Sequence, residues 1–186
     1  MRLAALALSV ALFGFGAEPG LKVSEFVVRT VAGVEVASAG LRGATVTVVG
    51  FVSTKCPVSA AYNQRMRELY QQFSARGVGF VFIDSNANET EADMQLYTKQ
   101  AGLEFPLYRD VGNRVADLFG AQSTPEMFVL DGDSTLRYRG AIDDSQNEAR
   151  VKVRGLRLAI EAVLGGKPVQ PERTKAFGCT LHRVRT

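Results

Sequence analysis

The chain of 186 residues is 46% hydrophobic and carries 22 lysines and arginines against 19 aspartates and glutamates, for a formal net charge of +3. This length suits one domain with a substantial core and leaves little for a second. The nearly balanced charge argues against a nucleic-acid partner, because phosphate binding requires a concentrated basic surface. With one histidine and two cysteines, the sequence offers no two-histidine or multi-cysteine metal cluster.

Residues 1–17 have the pattern of a secretory signal peptide. Arg2 precedes an apolar run over 3–15, and small residues follow it, as in the charged, hydrophobic and cleavage regions of such a signal. The run is too short for a comfortable membrane span, and an uncleaved N-terminal anchor is the alternative. We therefore expect an exported protein, periplasmic or secreted, without stable membrane insertion after cleavage.

The first predicted elements are strands. Residues 26–30 and 34–39 alternate weakly around a short turn and predict an N-terminal hairpin, whereas the β-branched run over 45–52 predicts a buried strand. A helix is expected from Pro57, since proline suits the first helical turn. Its apolar face, spaced by three or four residues, comprises Val58, Tyr62, Met66, Leu69 and Phe73. In this helix we expect Tyr62 in the core and Arg65 at the surface.

Strands and helices alternate in the rest of the chain. The predicted elements are a strand over 78–83, a helix beginning at the Thr90/Asp93 capping box, a short strand over 105–108, a helix over 113–119, a hairpin formed by 127–130 and 136–142, and a last helix over 148–164. The last helix is expected to bury Val153, Leu156, Ile160, Val163 and Leu164. Residues 165–186 show little periodicity and form a C-terminal tail.

Cys56 stands where the strand over 45–52 gives way to a helix. A thiol at that junction faces free backbone N–H groups and the positive end of the helix dipole, which favours its thiolate. Lys55 would add positive potential, although a lysine there is more often solvated. Ser53 and Ser59 could donate hydrogen bonds to the sulfur, or they could be ordinary strand-end and helix-start serines. Cys56 is therefore a candidate nucleophile.

The Cys56 junction, together with a Thr124-Pro125 loop that leads into the apolar run over 127–130, resembles a thioredoxin fold. In that fold a cis-proline loop faces the active-site cysteine. The resemblance implies an α/β domain over 21–164, with a central mixed β-sheet flanked by helices and extended by the N-terminal hairpin. Thr124 and Pro125 would then form a wall against which a substrate backbone pairs in extended form, with a plain turn as the alternative. The cis state is a hypothesis, because few X-Pro bonds are cis.

Several short motifs, taken in order, resemble the alkyl hydroperoxide reductase/thiol-specific antioxidant (AhpC/TSA) family, often called redoxins. They are Cys56-Pro57-Val58-Ser59, Asp84-Ser85-Asn86, Asp110-x-Gly112-Asn113, Thr124-Pro125-Glu126 and Arg137-Tyr138-Arg139-Gly140. The resemblance implies a thiol-dependent oxidoreductase with antioxidant or disulfide-exchange activity and no bound cofactor. Its partners would be a thiol- or disulfide-containing protein, a small-molecule thiol or a peroxide.

The chain departs from both active-site patterns of this group. Thioredoxin-like exchange uses two cysteines separated by two residues, and Ser59 at the second position excludes such a local dithiol cycle. The buried acid of those proteins, six residues before the first cysteine, would fall at Gly50. The peroxiredoxin motif retains Ser53 but has Val49 in place of its proline, and the peroxidase arginine aligns with Pro125.

Cys179, which lies 123 residues after Cys56, is the candidate resolving cysteine. It could resolve an oxidised or mixed-disulfide Cys56, form a fixed structural disulfide with it, or stay unpaired. The leading hypothesis is an exported oxidoreductase whose Cys56 cycles through a mixed disulfide or sulfenic acid, with Cys179 or an external thiol as resolver. The alternative is a redox-inert binding or scaffold module with a structural Cys56–Cys179 bridge.

Overall fold

A seven-stranded mixed sheet organises residues 16–185, the part of the chain that the computed structural model describes. The strands are β1 (Val27–Arg29), β2 (Glu35–Ala37), β3 (Val46–Val52), β4 (Gly79–Asp84), β5 (Leu107–Arg109), β6 (Ser123–Thr124), β7 (Glu126–Asp131), β8 (Leu136–Gly140) and β9 (Cys179–Thr180). The helices are α1 (Pro57–Ala61), α2 (Asn63–Ser74), α3 (Glu91–Gln100), α4 (Arg114–Phe119) and α5 (Gly155–Leu164). Residues 1–15 of the predicted signal peptide lie outside the described residues.

The sheet has the order β2-β1-β5-β4-β3-β7-β8. The interior strand β3 runs parallel to β4 and antiparallel to β7. The pair β1–β2 forms the predicted N-terminal hairpin and joins the sheet through β5. The short strands β6 and β9 pair with each other outside the main sheet. The expected α/β architecture with a mixed sheet and an N-terminal hairpin is confirmed.

Two hydrophobic clusters cover the two faces of the sheet. Strand β3 is buried along its whole length, so its side chains supply both clusters in alternation, as expected of a central strand. On one face β3 packs with α2 and α5, and on the other it packs with α4. The active-site end of β3 is thereby fixed between helices on both sides. Within residues 16–185, no helix combines the length and the apolar character needed to span a membrane.

The last helix begins later than the sequence pattern predicts. Residues Glu148–Arg150 form a single 3₁₀ turn and α5 starts only at Gly155, because the intervening chain pairs with the loop after β8: the Asp144 N–H donates to the Val153 carbonyl over 3.1 Å. Val153 is therefore 42% exposed, so the prediction that it is buried was wrong. Leu156 and Ile160 are buried as predicted.

The helix predicted from Pro57 is divided at Tyr62 into α1 and α2. Tyr62 is buried as expected, but the expectation of a surface Arg65 was wrong, since Arg65 is only 5% exposed. Its guanidinium lies 3.9 Å from the centre of the Tyr62 ring and forms an ion pair of 2.6 Å with buried Asp143. A buried cation is tolerable here because it is paired with a carboxylate and hydrogen-bonded to main-chain carbonyls.

Candidate active site

Cys56 occupies the turn between β3 and α1 and caps the helix. Its backbone is extended, Pro57 follows as the first helical residue, and the Ser59 N–H points to the Cys56 Sγ at 3.5 Å. The side chain is nearly inaccessible at 3% exposure. The local sequence produces this turn because proline both starts a helix readily and disfavours helical geometry in the residue before it.

The C-terminal tail brings Cys179 to Cys56, and the two cysteines form a disulfide with a Cα–Cα distance of 6.0 Å. Strand β9 runs antiparallel to β6, with Cys179 opposite Thr124 and Thr180 opposite Ser123. Cys179 is only half-buried, in contrast to Cys56. Of the arrangements left open by the sequence, the structure therefore contains the bridged one.

The loop before β7 forms the opposite wall of the site. The Thr124–Pro125 peptide bond is cis, which confirms that expectation, and the Thr124 carbonyl oxygen lies 3.2 Å from the Cys56 Sγ. Glu126 holds this loop in place: its carboxylate accepts hydrogen bonds from the Gln122 N–H at 2.8 Å and from Arg139 at 3.0 Å. Thr124 and Pro125 thus line the cleft in which Cys56 and Cys179 meet.

Ser53 and Ser59 are both buried, and their hydroxyl groups organise the backbone around Cys56. The Ser59 hydroxyl accepts from the Ser53 N–H at 3.2 Å and so ties the end of β3 to α1. The Ser53 hydroxyl donates to Glu89 at 2.5 Å. The polar contact to the Cys56 sulfur comes from the Ser59 main chain rather than from these hydroxyls. A direct role for either side chain in catalysis stays a prediction.

Lys55 is exposed, and its ammonium group is directed to the start of α3. It lies 3.1 Å from a carboxylate oxygen of Asp93 and donates to the Asn88 carbonyl at 2.7 Å. The charge that was expected to favour the thiolate is therefore largely compensated by a neighbouring carboxylate. A contribution of Lys55 to the stability of the Cys56 thiolate stays a prediction.

A buried carboxyl pair beneath the Cys56 turn escaped the sequence reasoning. Glu89 accepts hydrogen bonds from the Ser53 hydroxyl and, at 2.6 Å, from the Thr54 N–H. Burial would raise the pKa of Glu89, but hydrogen bonds from Asp84, Ser53 and Thr54 lower it below its ordinary value. Burial, followed by the hydrogen bond with Glu89 and its negative charge, raises the pKa of Asp84 to about 8. The two carboxyls are therefore shifted in opposite directions, which favours protonated Asp84 beside ionised Glu89.

Arg109 approaches the same pair without neutralising it fully. Its guanidinium lies 3.4 Å from one oxygen of Asp84, a long contact, while the other oxygen, Oδ2, is buried and has no donor partner among the described residues. Burial of this carboxyl and the negative charge of nearby Glu89 favour its protonated form. At Gly50, the position that corresponds to the acid of related proteins, a Cβ would come within 2.7 Å of the Met127 sulfur and 3.0 Å of Phe82, so no carboxylate fits there without repacking.

The buried group Tyr62, Arg65 and Asp143 anchors the active-site helices to the loop after β8. The Tyr62 hydroxyl donates to Asp143 at 2.9 Å, and Arg65 donates to the carbonyls of Ser145 and Gln146 at 2.8 and 2.5 Å. Burial, and then the hydrogen bond to Asp143, raises the pKa of Tyr62 above its ordinary value. This side of the site is consequently fixed by buried charged contacts.

Comparison with known proteins agrees with this geometry. The thiol-disulfide oxidoreductase ResA of Bacillus thuringiensis (strain Al Hakam) is 29% identical over 114 residues, which are 61% of this chain and 64% of ResA, so the chain spans less than two thirds of that relative's length. An uncharacterised conserved protein from Geobacillus kaustophilus has a TM-score of 0.83 at 26% identity, covering 91% of this chain and 94% of that one.

A thioredoxin-family thiol:disulfide interchange protein from Chlorobium tepidum TLS has a TM-score of 0.62 at 22% identity, covering 81% of this chain and 100% of its own. At this identity the likeness establishes the thioredoxin-like fold alone. The AhpC/TSA family matches residues 19–139, which carry both the Cys56 turn and the cis-proline loop. The chain belongs to the AhpC/TSA family.

Proposed function

We propose that the protein is an exported thiol-disulfide oxidoreductase that cycles between the Cys56–Cys179 disulfide and the corresponding dithiol. The observation that carries this proposal is the position of the bridge: it joins the helix-start cysteine to the tail directly opposite the cis-proline loop. A disulfide placed only for stability has no need of that location. The predicted signal peptide supports export, because disulfide chemistry is common in oxidising compartments.

The cycle starts from the reduced protein. The Cys56 thiolate attacks one sulfur of a substrate disulfide, a mixed disulfide forms, and the other substrate sulfur leaves as a thiolate that takes a proton from solvent. The Cys179 thiolate then attacks the Cys56 sulfur, which closes the bridge and releases the second substrate thiol. The substrate disulfide gains two electrons and the protein dithiol loses them. An external dithiol reductant regenerates the dithiol, and the reverse steps oxidise a substrate dithiol.

The two cysteines have different roles in this scheme because their surroundings differ. The Ser59 N–H is aimed at the Cys56 sulfur and favours its thiolate, so Cys56 is the attacking group. Cys179 lies on a two-residue strand in the tail and is half-buried, which suits a resolving residue that must approach and withdraw. Disulfides rank ahead of peroxides as substrates, since Pro125 stands where the peroxidases of this family carry an arginine.

The second candidate is a redox-inert module in which the bridge is structural. The observations that favour it are the low exposure of Cys56, 3%, and the apolar packing around Gly50 in place of an acid. The two candidates predict opposite redox behaviour, because structural disulfides resist reduction by physiological thiols whereas exchanging ones do not.

The deciding experiment is a redox titration of the protein in dithiol buffers, with alkylation and mass spectrometry of Cys56 and Cys179. The proposal predicts a midpoint potential above about −300 mV and rapid re-equilibration; a lower potential would support the structural module. As a matched pair, Cys179→Ser is expected to accumulate mixed disulfides with partner proteins, while Cys56→Ser forms none. Equal trapping by both variants would contradict the assigned roles.

A further inference from the structure

Residues 177–181 of the tail, here called the tail segment, lie in the cleft formed by Cys56, Tyr62 and the cis-proline loop. The cleft is the place where the resemblance led us to expect a substrate backbone to pair, and we propose that the tail segment is a built-in copy of the extended, cysteine-containing polypeptides that bind there. Preferred substrates then carry an aromatic residue two positions before the reacting cysteine, glycine immediately before it and an aliphatic residue two positions after it. The inference rests on the proposed function and adds the substrate class.

The backbone of the tail segment is held as a bound peptide would be. Cys179 and Thr180 extend β6 as an antiparallel partner, and the Leu181 N–H donates to the Gln122 carbonyl at 3.0 Å. Among the described residues β6 pairs with no strand other than β9. A two-residue edge beside a reactive cysteine is suited to strand addition, in which main-chain hydrogen bonds supply affinity and side-chain pockets supply specificity.

The side chains on either side of Cys179 enter the two hydrophobic clusters. Phe177 packs on one cluster and lies 6.1 Å from the Tyr62 ring, centre to centre. Leu181 is 3% exposed in the other cluster, on the opposite face of the sheet. Thr180 points to solvent. The groove therefore has two apolar subsites, and the side chains that fill them are four residues apart in the bound chain.

The residue before the cysteine must be glycine because there is no room for a Cβ at this position. A Cβ built on Gly178 would overlap the Thr124 carbonyl oxygen and crowd the Pro125 nitrogen. The obstacle is main chain of the cis-proline loop, which Glu126 and Arg139 hold in place, so the contact cannot be relieved by a side-chain rotation. A larger residue at this position forces the peptide out of register with β6.

In the oxidised state the disulfide holds the tail segment in the groove. Once an external dithiol reduces the bridge, the tail is held by non-covalent contacts alone, and a polypeptide with the same pattern can replace it. The Cys56 thiolate then attacks the cysteine sulfur of the substrate disulfide, the substrate's other sulfur leaves as a thiolate, and the new bond takes the place that the Cys56–Cys179 bond has here.

The test varies the peptide and leaves the protein constant. The Cys179→Ser variant is mixed with a synthetic peptide of sequence 175–183 whose cysteine is activated as a disulfide with thionitrobenzoate. The rate of Cys56–peptide adduct formation is followed by mass spectrometry. We expect a peptide carrying Gly178→Ala to react at least about tenfold more slowly than the parent peptide. A peptide carrying Phe177→Ala should also be slower, and the matched control Thr180→Ala should stay within about twofold.

Each result has one meaning. Discrimination against the Gly178→Ala peptide, with the Thr180→Ala peptide unaffected, supports the groove. Equal rates for all peptides overturn it while leaving the proposed function intact, provided that Cys56 reacts readily with each. If Cys56 of the folded variant reacts neither with the peptides nor with the small symmetrical disulfide of thionitrobenzoate, the proposed function fails together with the inference.

Discussion

The inner wall of the groove around Cys56 and the tail segment that occupies this groove are attached to the molecule in different ways. The inner wall, formed by α1 and α2, is fixed by the buried Arg65–Asp143 ion pair and by Glu89 beneath the Cys56 turn. The tail segment is held by a short two-strand pairing, by buried Leu181 and by the bridge. Buried charged pairs are costly to break, whereas exposed backbone hydrogen bonds open locally. The bridge therefore secures a tail segment whose other attachments are non-covalent, and the tail can detach once the bridge is reduced.

Reducing the bridge should have the largest effect. Since the disulfide closes a loop of 123 residues, its reduction is expected to lower the free energy of unfolding by about 5 kcal/mol in the chain-entropy model. Urea unfolding with and without a dithiol reductant measures this change. Hydrogen exchange of the reduced protein should show faster exchange at Leu181 and unchanged protection in α2. Retained protection at Leu181 would contradict a detachable tail.

The inner wall should be sensitive to loss of a single charge. Arg65→Met leaves Asp143 buried without its cation, and we expect a loss of about 3–5 kcal/mol in the free energy of unfolding. The double variant Arg65→Met/Asp143→Leu should recover most of it, because no unpaired charge remains. The control is Arg67→Met. Arg67 lies two residues further along α2 and makes only a long, exposed hydrogen bond to the Gly102 carbonyl, so this variant should change the free energy of unfolding by less than about 0.5 kcal/mol. A small effect of Arg65→Met would show that the inner wall is attached no more firmly than the tail segment.

Asp84, which lies beneath the inner wall, should make the free energy of unfolding depend on pH. Its folded pKa of about 8 lies above the ordinary value of 3.8, so the folded protein binds more protons than the unfolded chain between these values. The contribution of Asp84 to stability is therefore greatest at low pH and declines as pH rises, by up to about 1.4 kcal/mol per pH unit. Asp84→Asn should remove this slope, because the neutral amide has no carboxyl proton to lose as pH rises.

The pH experiment compares urea unfolding of wild type and Asp84→Asn at pH 5, 6 and 7. The variant is expected to gain stability relative to wild type at each step. Asp133→Asn, at an exposed turn position, serves as the control and should run parallel to wild type. Parallel curves for Asp84→Asn as well would show that the carboxyl pair does not hold a proton near neutral pH.

The smallest effect is expected at Lys55. Because its ammonium is paired with Asp93 and is exposed to salt, Lys55→Met should slow alkylation of Cys56 in the Cys179→Ser background by less than about threefold. Stopped-flow alkylation at low and high ionic strength measures this. A larger, strongly salt-dependent decrease would restore the role that the sequence suggested for this lysine.

The parts of the fold that could be predicted are those encoded locally. The β-branched run of β3, the proline after Cys56 and the capping box at Thr90 each define an element within a few residues. The Thr124-Pro125 loop was found because it precedes a strongly apolar strand. These signals were sufficient to predict the family, the main sheet, the Cys56 turn and the cis-proline loop.

The parts that could not be predicted depend on partners far away in the chain. Arg65 was assigned to the surface, where arginines usually lie, and its partner Asp143 follows 78 residues later. Glu89 belongs to none of the motifs found in the sequence, yet it binds Thr54 of the Cys56 turn from 35 residues away. The tail has little periodicity because a two-residue strand generates none. Long-range pairing of polar groups leaves no periodic pattern in one sequence.

The separation of 123 residues between the bridged cysteines also has a consequence for biosynthesis. Ribosomes add residues from the N-terminus at about 5–20 per second, so Cys56 is made roughly ten seconds before Cys179. During that interval its thiol has no partner within its own chain. The bridge can form only after almost the whole domain has been made, so the oxidised state also marks a polypeptide that has been synthesised through to its tail.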